Sequence, residues 1–345
     1  MTAAALRTAQ EIGGHPPVPG LSFFLTIPVD PDPGRVYADA LASLRLAEEL
    51  GFETAWVAEG HFQFLGVPSA LTFLAAAAQV STTIRLGTAV LPLAFDNPVR
   101  VAETAALVDA LSGGRLELGV GKSNPGAAST AIFTAFGLSE DDRETLYADA
   151  LGGLKGAVSH GIPAGDRHVQ LYPPTGALAG RVWQATGNPV TAAGIGRSGD
   201  GLLLFRTTPQ GDPGEVQARL VDAYLEALPL GATPRIGISR GVLPAESRAA
   251  AVALIARERE RTPERFVTFA GPAVQTPEDY LRALNVKYGT ADDIVEQLGQ
   301  DAAFVRSTDH LFSLPVPAGS PAFTEGLRQI AQEIHPRVRA TSPVS

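Results

Sequence analysis

The sequence predicts a (β/α)₈ barrel. Short runs rich in β-branched and aromatic residues alternate with stretches of helical periodicity along the 345-residue chain. Eight such runs occur, each with a helix near it, and they are rich in Val, Leu and Ile, as strands buried on both faces are. The alternation, the number of strands and their composition favour a parallel barrel, with insertions, over an open doubly wound sheet.

The elements follow in chain order. Strands are predicted at 21–27, 54–59, 83–93, 116–120, 181–186, 201–206, 234–243 and 310–316. Helices are predicted at 37–51, 68–79, 98–112, 142–159, 189–199, 214–228, 246–261, 291–300 and 322–334. A single barrel domain is expected at 17–336 between flexible tails at 1–16 and 337–345, with an inserted hairpin or loop around 160–180, where turn residues are dense.

Composition narrows the class of protein. With 45% hydrophobic and 18% charged residues, the chain can bury a large core. The formal charge of -9 and the lack of a basic run argue against binding to nucleic acid or to an anionic membrane. There is no cysteine, no second histidine at metal-binding spacing and no apolar run of about 18 residues. We therefore expect a soluble cytoplasmic protein with no metal site.

Two glycine motifs imitate nucleotide-binding loops. Gly121-Lys122-Ser123 ends like a P-loop, but Leu116 stands where that motif needs its first glycine. The run GIGRSG (194–199) matches G-x-G-x-x-G, yet it ends a predicted helix and precedes a strand, whereas a dinucleotide fingerprint follows a strand and opens a helix. We interpret the first motif as a strand running into a turn and the second as a helix C-cap.

The stretch TGNPVT (186–191) has the order that an anion site requires. It follows a strand and opens a helix, with Asn188 at the N-cap, Pro189 at the first helical position and Thr191 in the first turn. Free N–H groups and the helix dipole can hold a phosphate there. Ordinary helix capping explains the same residues, and this stretch alone leaves both interpretations open.

A histidine and a glutamate follow the second predicted strand, in AEGHF (58–62). Barrel enzymes place their chemistry at the C-terminal ends of strands, so Glu59 and His61 are candidate acid, base or ligand groups. A packed, hydrogen-bonded histidine is the alternative.

Several blocks between Thr54 and Leu202 resemble the bacterial-luciferase-like, flavin-dependent monooxygenases. They are ETAWVAEGHF, IRLGTAVLPLAFDNPVRVAETAALVDALSGGRLELGVGKS, the FG of AFGLSEDDR, and VWQATGNPVTAAGIGRSGDGL. The resemblance implies a (β/α)₈ barrel, commonly a homodimer, that binds FMN at the C-terminal ends of its strands. It also implies that a separate flavin reductase supplies reduced FMN, and that O₂ is used to oxygenate a small organic substrate.

The resemblance carries cofactor contacts to particular positions. Ala89 and Val90 match the place where the family's backbone touches the isoalloxazine, sometimes through a non-proline cis peptide. Lys122 stands where luciferases have an arginine beside the flavin, and Arg143 matches, with a one-residue offset, an arginine that reaches the phosphate. The same matching assigns three further residues to the phosphate-binding turn: Gly187, Asn188 and Thr191.

One departure from the family leaves alternatives open. Luciferases have Glu-His-His after the second strand, and the first of those histidines is the one given an acid/base role. This chain has Glu59-Gly60-His61, so His61 matches only the second histidine. A flavin-binding protein without turnover is therefore kept beside the monooxygenase hypothesis, with Glu59 and His61 as the candidate catalytic residues. A deazaflavin-dependent oxidoreductase of the same superfamily is kept as well, because the Ala-, Gly- and Arg-rich composition is typical of high-GC bacteria, in which that cofactor occurs.

Overall fold

The computed structural model describes residues 19–62, 66–123, 127–261 and 274–341. These residues form two compact units. The N-terminal unit contains 24–48 and 53–185, and the C-terminal unit contains 19–23, 49–52 and 186 onward. The predicted N-terminal tail lies outside the described residues, and a helix at His335–Thr341 covers the start of the predicted C-terminal tail.

The strands and helices have the following bounds. The strands are Gly20–Leu25 (β1), Thr54–Val57 (β2), Arg85–Thr88 (β3), Leu91–Pro92 (β4), Leu116–Gly121 (β5), Ile162–Ala164 (β6), Arg167–Val169 (β7), Val182–Ala185 (β8), Gly201–Leu204 (β9), Ile236–Pro244 (β10), Val286–Gly289 (β11) and Asp309–Ser313 (β12). The α-helices are Pro33–Glu49 (α1), Ala70–Val80 (α2), Pro98–Leu111 (α3), Ala127–Ala135 (α4), Arg143–His160 (α5), Pro189–Ser198 (α6), Pro213–Ala227 (α7), Arg248–Arg261 (α8), Pro277–Ala283 (α9), Ala291–Gly299 (α10), Pro321–Gln329 (α11) and His335–Thr341 (α12).

Parallel strands with intervening helices build both units. In the N-terminal unit β2, β3, β5 and β8 pair in that order, and in the C-terminal unit β10 pairs with β9, β11 and β12, while β12 pairs with β1. All eight predicted strands are present among the described residues, and the fold class is the predicted (β/α)₈ barrel. Within the same residues every helix is too short or too polar to cross a membrane.

The structure corrects some predicted boundaries. The predicted strand at 83–93 is two strands, β3 and β4, separated by a cis peptide bond between Ala89 and Val90. Strand β11 was not predicted, because its four residues VKYG lack an apolar pattern and are placed by pairing with β10. The insertion contains the antiparallel hairpin β6–β7. Gly199 has a left-handed φ of 71° after the last residue of α6, so GIGRSG is a helix C-cap as predicted.

Two buried histidines lie in the core of the C-terminal unit. The His310 ring on β12 stacks on Phe304 at 4.2 Å and lies 5.5 Å from the ring of His335. Burial, with a smaller contribution from His335, lowers the pKa of His310 to about 3. Burial also lowers the pKa of His335 to about 4. Both side chains are therefore neutral in the folded protein at neutral pH.

We expect these histidines to make the fold sensitive to acid. An unfolded histidine titrates near 6.5, so the unfolded chain binds more protons below that pH, and stability falls as the pH is lowered toward the folded pKa values of about 3 and about 4. His310→Phe keeps an aromatic ring against Phe304 and removes the titration. At pH 4 the variant should retain on the order of 3 kcal/mol of the free energy of unfolding that the wild type loses in acid.

Urea unfolding at a series of pH values measures this effect. The matched control is His168→Phe on the exposed hairpin strand β7, which should leave the pH dependence unchanged. An equally steep acid loss in His310→Phe and wild type would contradict this account of the buried pair.

Candidate active site

Glu59 follows β2 and is held as a buried carboxyl group. Its side chain is 4% exposed, and its Oε2 accepts a 2.6 Å hydrogen bond from the N–H of Ala70, the first residue of α2. Burial raises the pKa of Glu59 to about 8, against the effect of the Ala70 hydrogen bond and with a further increase from Asp96. Glu59 is therefore largely protonated at neutral pH.

His61 is buried beside Glu59, and one of its ring nitrogens has no hydrogen-bond partner among the described residues. Its Nε2 lies 3.8 Å from Oε1 of Glu59, which is too long for a hydrogen bond. Among the described residues this buried Nε2 has no hydrogen-bond partner. Burial lowers the pKa of His61, while the carboxylate of Asp96 opposes that shift. A neutral imidazole with an unused nitrogen can exchange a hydrogen bond or a proton with a ligand.

A group of phenylalanines surrounds His61, and we call Phe62, Phe95, Phe133 and Phe136 the aromatic cluster. The His61 ring meets Phe136 edge-on at 5.1 Å and Phe95 edge-on at 5.5 Å. Phe95 stacks on Phe136 at 5.4 Å and meets Phe133 at 4.6 Å. Phe62 and Phe136 are 58% and 45% exposed, so the cluster reaches the surface.

The Ala89–Val90 segment lies at the C-terminal end of β3. Its peptide bond is cis, a geometry that the family resemblance includes. Gly121 ends β5 beside it, and a Cβ on Gly121 would lie 2.5 Å from Cγ2 of Val90. Gly121, which begins the P-loop-like run Gly121-Lys122-Ser123, thus lies in a strand and leaves room for the Val90 side chain.

Lys122 and Arg143 lie together in the N-terminal unit, where the carboxylates of Glu140 and Glu144 pair with them. Nζ of Lys122 donates a 2.6 Å hydrogen bond to Glu144, and Nη2 of Arg143 lies 3.6 Å from the same carboxylate. The Arg143 side chain is 19% exposed. Its Nε and Nη1 are buried and have no hydrogen-bond partner among the described residues. Nη1 lies 4.0 Å from Oε1 of Glu140, an ion-pair distance without a hydrogen bond. Buried guanidinium N–H groups without hydrogen bonds are costly, so Arg143 fits an anionic ligand that would complete these bonds.

Gly187, Asn188 and Thr191 lie in the C-terminal unit, at the start of α6. Oδ1 of Asn188 accepts hydrogen bonds from the N–H groups of Val190 and Thr191, at 2.8 and 3.3 Å. Pro189 has no N–H, so the Asn188 side chain already serves the first free backbone donors of the helix. The observed geometry is N-capping, one of the two interpretations that the sequence leaves open.

The structure brings some of the predicted residues together within a unit. In the N-terminal unit Glu59 lies beside His61, and Lys122 and Arg143 share Glu144. Phe95 and Phe136 were not singled out from the sequence as parts of a site. Their only signal was position, since LAFDNP and AFG both lie in the blocks that carry the family resemblance.

The model of the luciferase-like monooxygenases matches residues 20–308 of this chain. The chain belongs to this family. The structure of this luciferase-like protein is similar to that of the monooxygenase RslO1 from Streptomyces bottropensis, with a TM-score of 0.76 and 23% identity over 92% of this chain and 99% of that one. The oxygenating constituent of 3,6-diketocamphane monooxygenase from Pseudomonas putida, in complex with FMN, gives a TM-score of 0.70 and 16% identity over 93% and 98% of the two chains.

Curated relatives of this luciferase-like protein include enzymes with another cofactor. The F420-dependent glucose-6-phosphate dehydrogenase of Intrasporangium calvum is 29% identical over 46% of this chain and 50% of its own. The chain spans about half the length, or less, of the first curated relatives it matches. Family membership therefore leaves flavin and deazaflavin as the two cofactor classes.

Proposed function

We propose that this protein is a monooxygenase that uses reduced FMN, supplied by a flavin reductase, and O₂ to oxygenate a small organic substrate. The observation that carries the proposal is the buried guanidinium of Arg143, whose Nε and Nη1 have no hydrogen-bond partner among the described residues, although Nη1 lies 4.0 Å from Glu140. A phosphate oxygen is the kind of acceptor that such a fork binds. Lys122 lies beside it through their shared contact with Glu144 and adds a second positive charge.

The protein's own groups have distinct parts in this proposal. Bound reduced FMN would supply the activation of O₂. Arg143 would bind the phosphate, and Lys122, Ala89 and Val90 would lie near the ring system. His61 would hold or transfer a proton at Nε2, and the protonated carboxyl group of Glu59, 3.8 Å away and not hydrogen-bonded to it, would be a second proton carrier. The aromatic cluster would exclude water from this proton-transfer site.

We further propose Gly187, Asn188 and Thr191 as cofactor-binding residues of the C-terminal unit. The hydrogen bond from the Thr191 N–H to Asn188 is 3.3 Å long, so it is the weaker of the two capping bonds. The Thr191 N–H and hydroxyl are then the groups that a phosphate would engage. This assignment does not depend on that of Arg143. Its test is the single variant Thr191→Ala, which removes the hydroxyl group and should weaken the binding of FMN but not that of riboflavin.

A deazaflavin-dependent hydride transfer is the second candidate, because a curated relative uses F420. Titration of the purified protein with FMN, riboflavin and F420 separates the two. The FMN proposal predicts that FMN binds more tightly than F420, and at least about tenfold more tightly than riboflavin, which lacks the phosphate assigned to Arg143. Tighter binding of F420 than of FMN would replace the monooxygenase proposal with the second candidate.

We also propose that two copies associate through the outer face of α2 and α3. Val80 at the end of α2, and Leu107 and Leu111 one turn apart on α3, are 36%, 48% and 47% exposed. Small exposed residues of α2, Thr72 and Ala76, lie on the same side of that helix as Val80. Exposed leucines beside small residues allow two helix pairs to approach closely, which suits a second copy of the same face.

The dimer proposal predicts that Leu107→Glu with Leu111→Glu converts a dimer to a monomer in sedimentation velocity. Two carboxylates on each copy would face the same carboxylates across a two-fold axis, with unfavourable desolvation and repulsion. Leu230→Glu, at an isolated position that is 89% exposed, is the matched control and should stay dimeric. A double variant as dimeric as wild type would place the interface elsewhere.

A further inference from the structure

The aromatic cluster has two exposed rings, and it contacts His61, whose buried Nε2 has no hydrogen-bond partner among the described residues. Phe62 and Phe136 come from separate segments of the N-terminal unit, and their ring centroids lie 6.3 Å apart at a tilt of 39°. Phe62 has a φ of 60°, a left-handed conformation that few residues other than glycine adopt. Each ring is about half exposed, so both present aromatic surface to a ligand.

The polar atom that has no hydrogen-bond partner in the described part of the chain belongs to the histidine ring that these phenylalanines contact. His61 is 9% exposed, and its ring contacts Phe62, Phe95 and Phe136. Its buried Nε2 has no hydrogen-bond partner among the described residues, and Oε1 of Glu59 is 3.8 Å away. A buried imidazole nitrogen without a partner is unfavourable unless a ligand completes the bond.

The composition of the cluster selects among ligands. Flat aromatic rings gain from offset and edge-on contacts with phenylalanine, beyond the burial of apolar area that a saturated ligand also gains. The hydroxyl group of a phenol can both donate and accept, so it suits the Nε2 of either histidine tautomer. The nearby charge that acts on His61 is the carboxylate of Asp96, which disfavours an anionic ligand.

We propose that this cluster binds a neutral hydroxylated aromatic compound, with its ring against Phe62 and Phe136 and its hydroxyl group hydrogen-bonded to Nε2 of His61. As an assignment of substrate class it rests on the proposed monooxygenase function. The binding itself requires only residues of the N-terminal unit, namely Phe62, Phe136 and His61. His61 then orients the substrate through its hydroxyl group as well as serving as the site's proton carrier.

The test is equilibrium binding of 2-naphthol to the full chain, with and without FMN. We compare it with 2-decalol, the saturated analogue, and with naphthalene-2-carboxylate, the anionic one. We expect 2-naphthol to bind about tenfold more tightly than either analogue. Phe136→Leu should weaken 2-naphthol about tenfold and leave 2-decalol within about threefold, since leucine keeps the apolar contact and loses the ring.

Two variants make the test specific. Tyr172→Leu removes an aromatic ring that is 87% exposed in the insertion and should leave 2-naphthol binding unchanged. His61→Phe keeps an aromatic ring and should abolish the preference for 2-naphthol over 2-methoxynaphthalene. Equal binding of 2-naphthol and 2-decalol, or equal effects of Phe136→Leu and Tyr172→Leu, would overturn the proposal. Retained FMN binding in that case would show that the substrate assignment has failed and the cofactor assignment has not.

Discussion

Arg143→Ala should raise the dissociation constant for FMN about 100-fold and leave that for riboflavin within about threefold. The two ligands differ in the phosphate, which is the group assigned to Nε and Nη1 of Arg143, neither of which has a hydrogen-bond partner among the described residues. A hydrogen bond between charged groups contributes about 1.5–3 kcal/mol, and two such bonds to one phosphate account for a change of this size. Fluorescence titration with each ligand measures both constants.

Two further variants control this result. Arg100→Ala removes an arginine near the start of α3, where the side chain is 78% exposed and pairs with Glu103, and it should leave FMN binding unchanged. Arg143→Lys keeps the charge but loses the planar fork, so it should fall between wild type and Arg143→Ala. Equal weakening of FMN and riboflavin by Arg143→Ala would mean that this side chain holds something other than the phosphate.

Arg240→Met should lower the free energy of unfolding by about 3–5 kcal/mol. Arg240 is fully buried on β10, and its Nε and Nη2 donate hydrogen bonds of 2.6 and 3.0 Å to the two oxygens of Asp301. Nη2 also donates to Gln217 at 2.9 Å. Burial raises the pKa of Asp301, but the hydrogen bonds and the charge of Arg240 outweigh this effect and lower that pKa overall. Removing the arginine leaves a buried carboxylate that, among the described residues, keeps only the N–H of Phe304 at 3.0 Å and the ammonium group of Lys287 at 4.0 Å.

Arg248→Met is the matched control for this prediction. Arg248 also pairs with an aspartate, Asp293, at 3.0 Å, but its side chain is 58% exposed. Exposed ion pairs contribute about 0–1 kcal/mol, so the control should lose no more than about 1 kcal/mol. Urea unfolding of the two variants under one set of conditions compares them, and similar losses would show that burial of the Arg240 pair does not set its contribution.

Local signals in the sequence were enough for much of the fold. The strand LELGV and the helix openings at Asn97-Pro98 and Asn188-Pro189 are confirmed, because alternation and N-capping depend on neighbouring residues. The short strand β11 was missed because it is defined by a partner more than 40 residues earlier, with Gly241 of β10 opposite Val286. Pairing over such a distance leaves no periodic trace in four residues.

The candidate site was predictable as a set of positions but not as a geometry. The family resemblance pointed to Glu59, His61, Lys122 and Arg143, all in the N-terminal unit. It could not show that Nε and Nη1 of Arg143 have no hydrogen-bond partner among the described residues, since that depends on which groups the folded chain places around them. The contact of Phe136 with His61 joins positions far apart in the sequence, and no local sequence pattern at either residue predicts it.

The origin of the oxygen atom in the product tests the central claim most directly. The protein, a flavin reductase, NADH as the electron donor and FMN are supplied with ¹⁸O₂ and a panel of small organic substrates that includes 2-naphthol, and the products are analysed by mass spectrometry. The monooxygenase proposal predicts a product that carries one ¹⁸O atom and forms only when reduced FMN is present. A substrate oxidised without ¹⁸O, in a reaction that proceeds with the deazaflavin and without O₂, would contradict it.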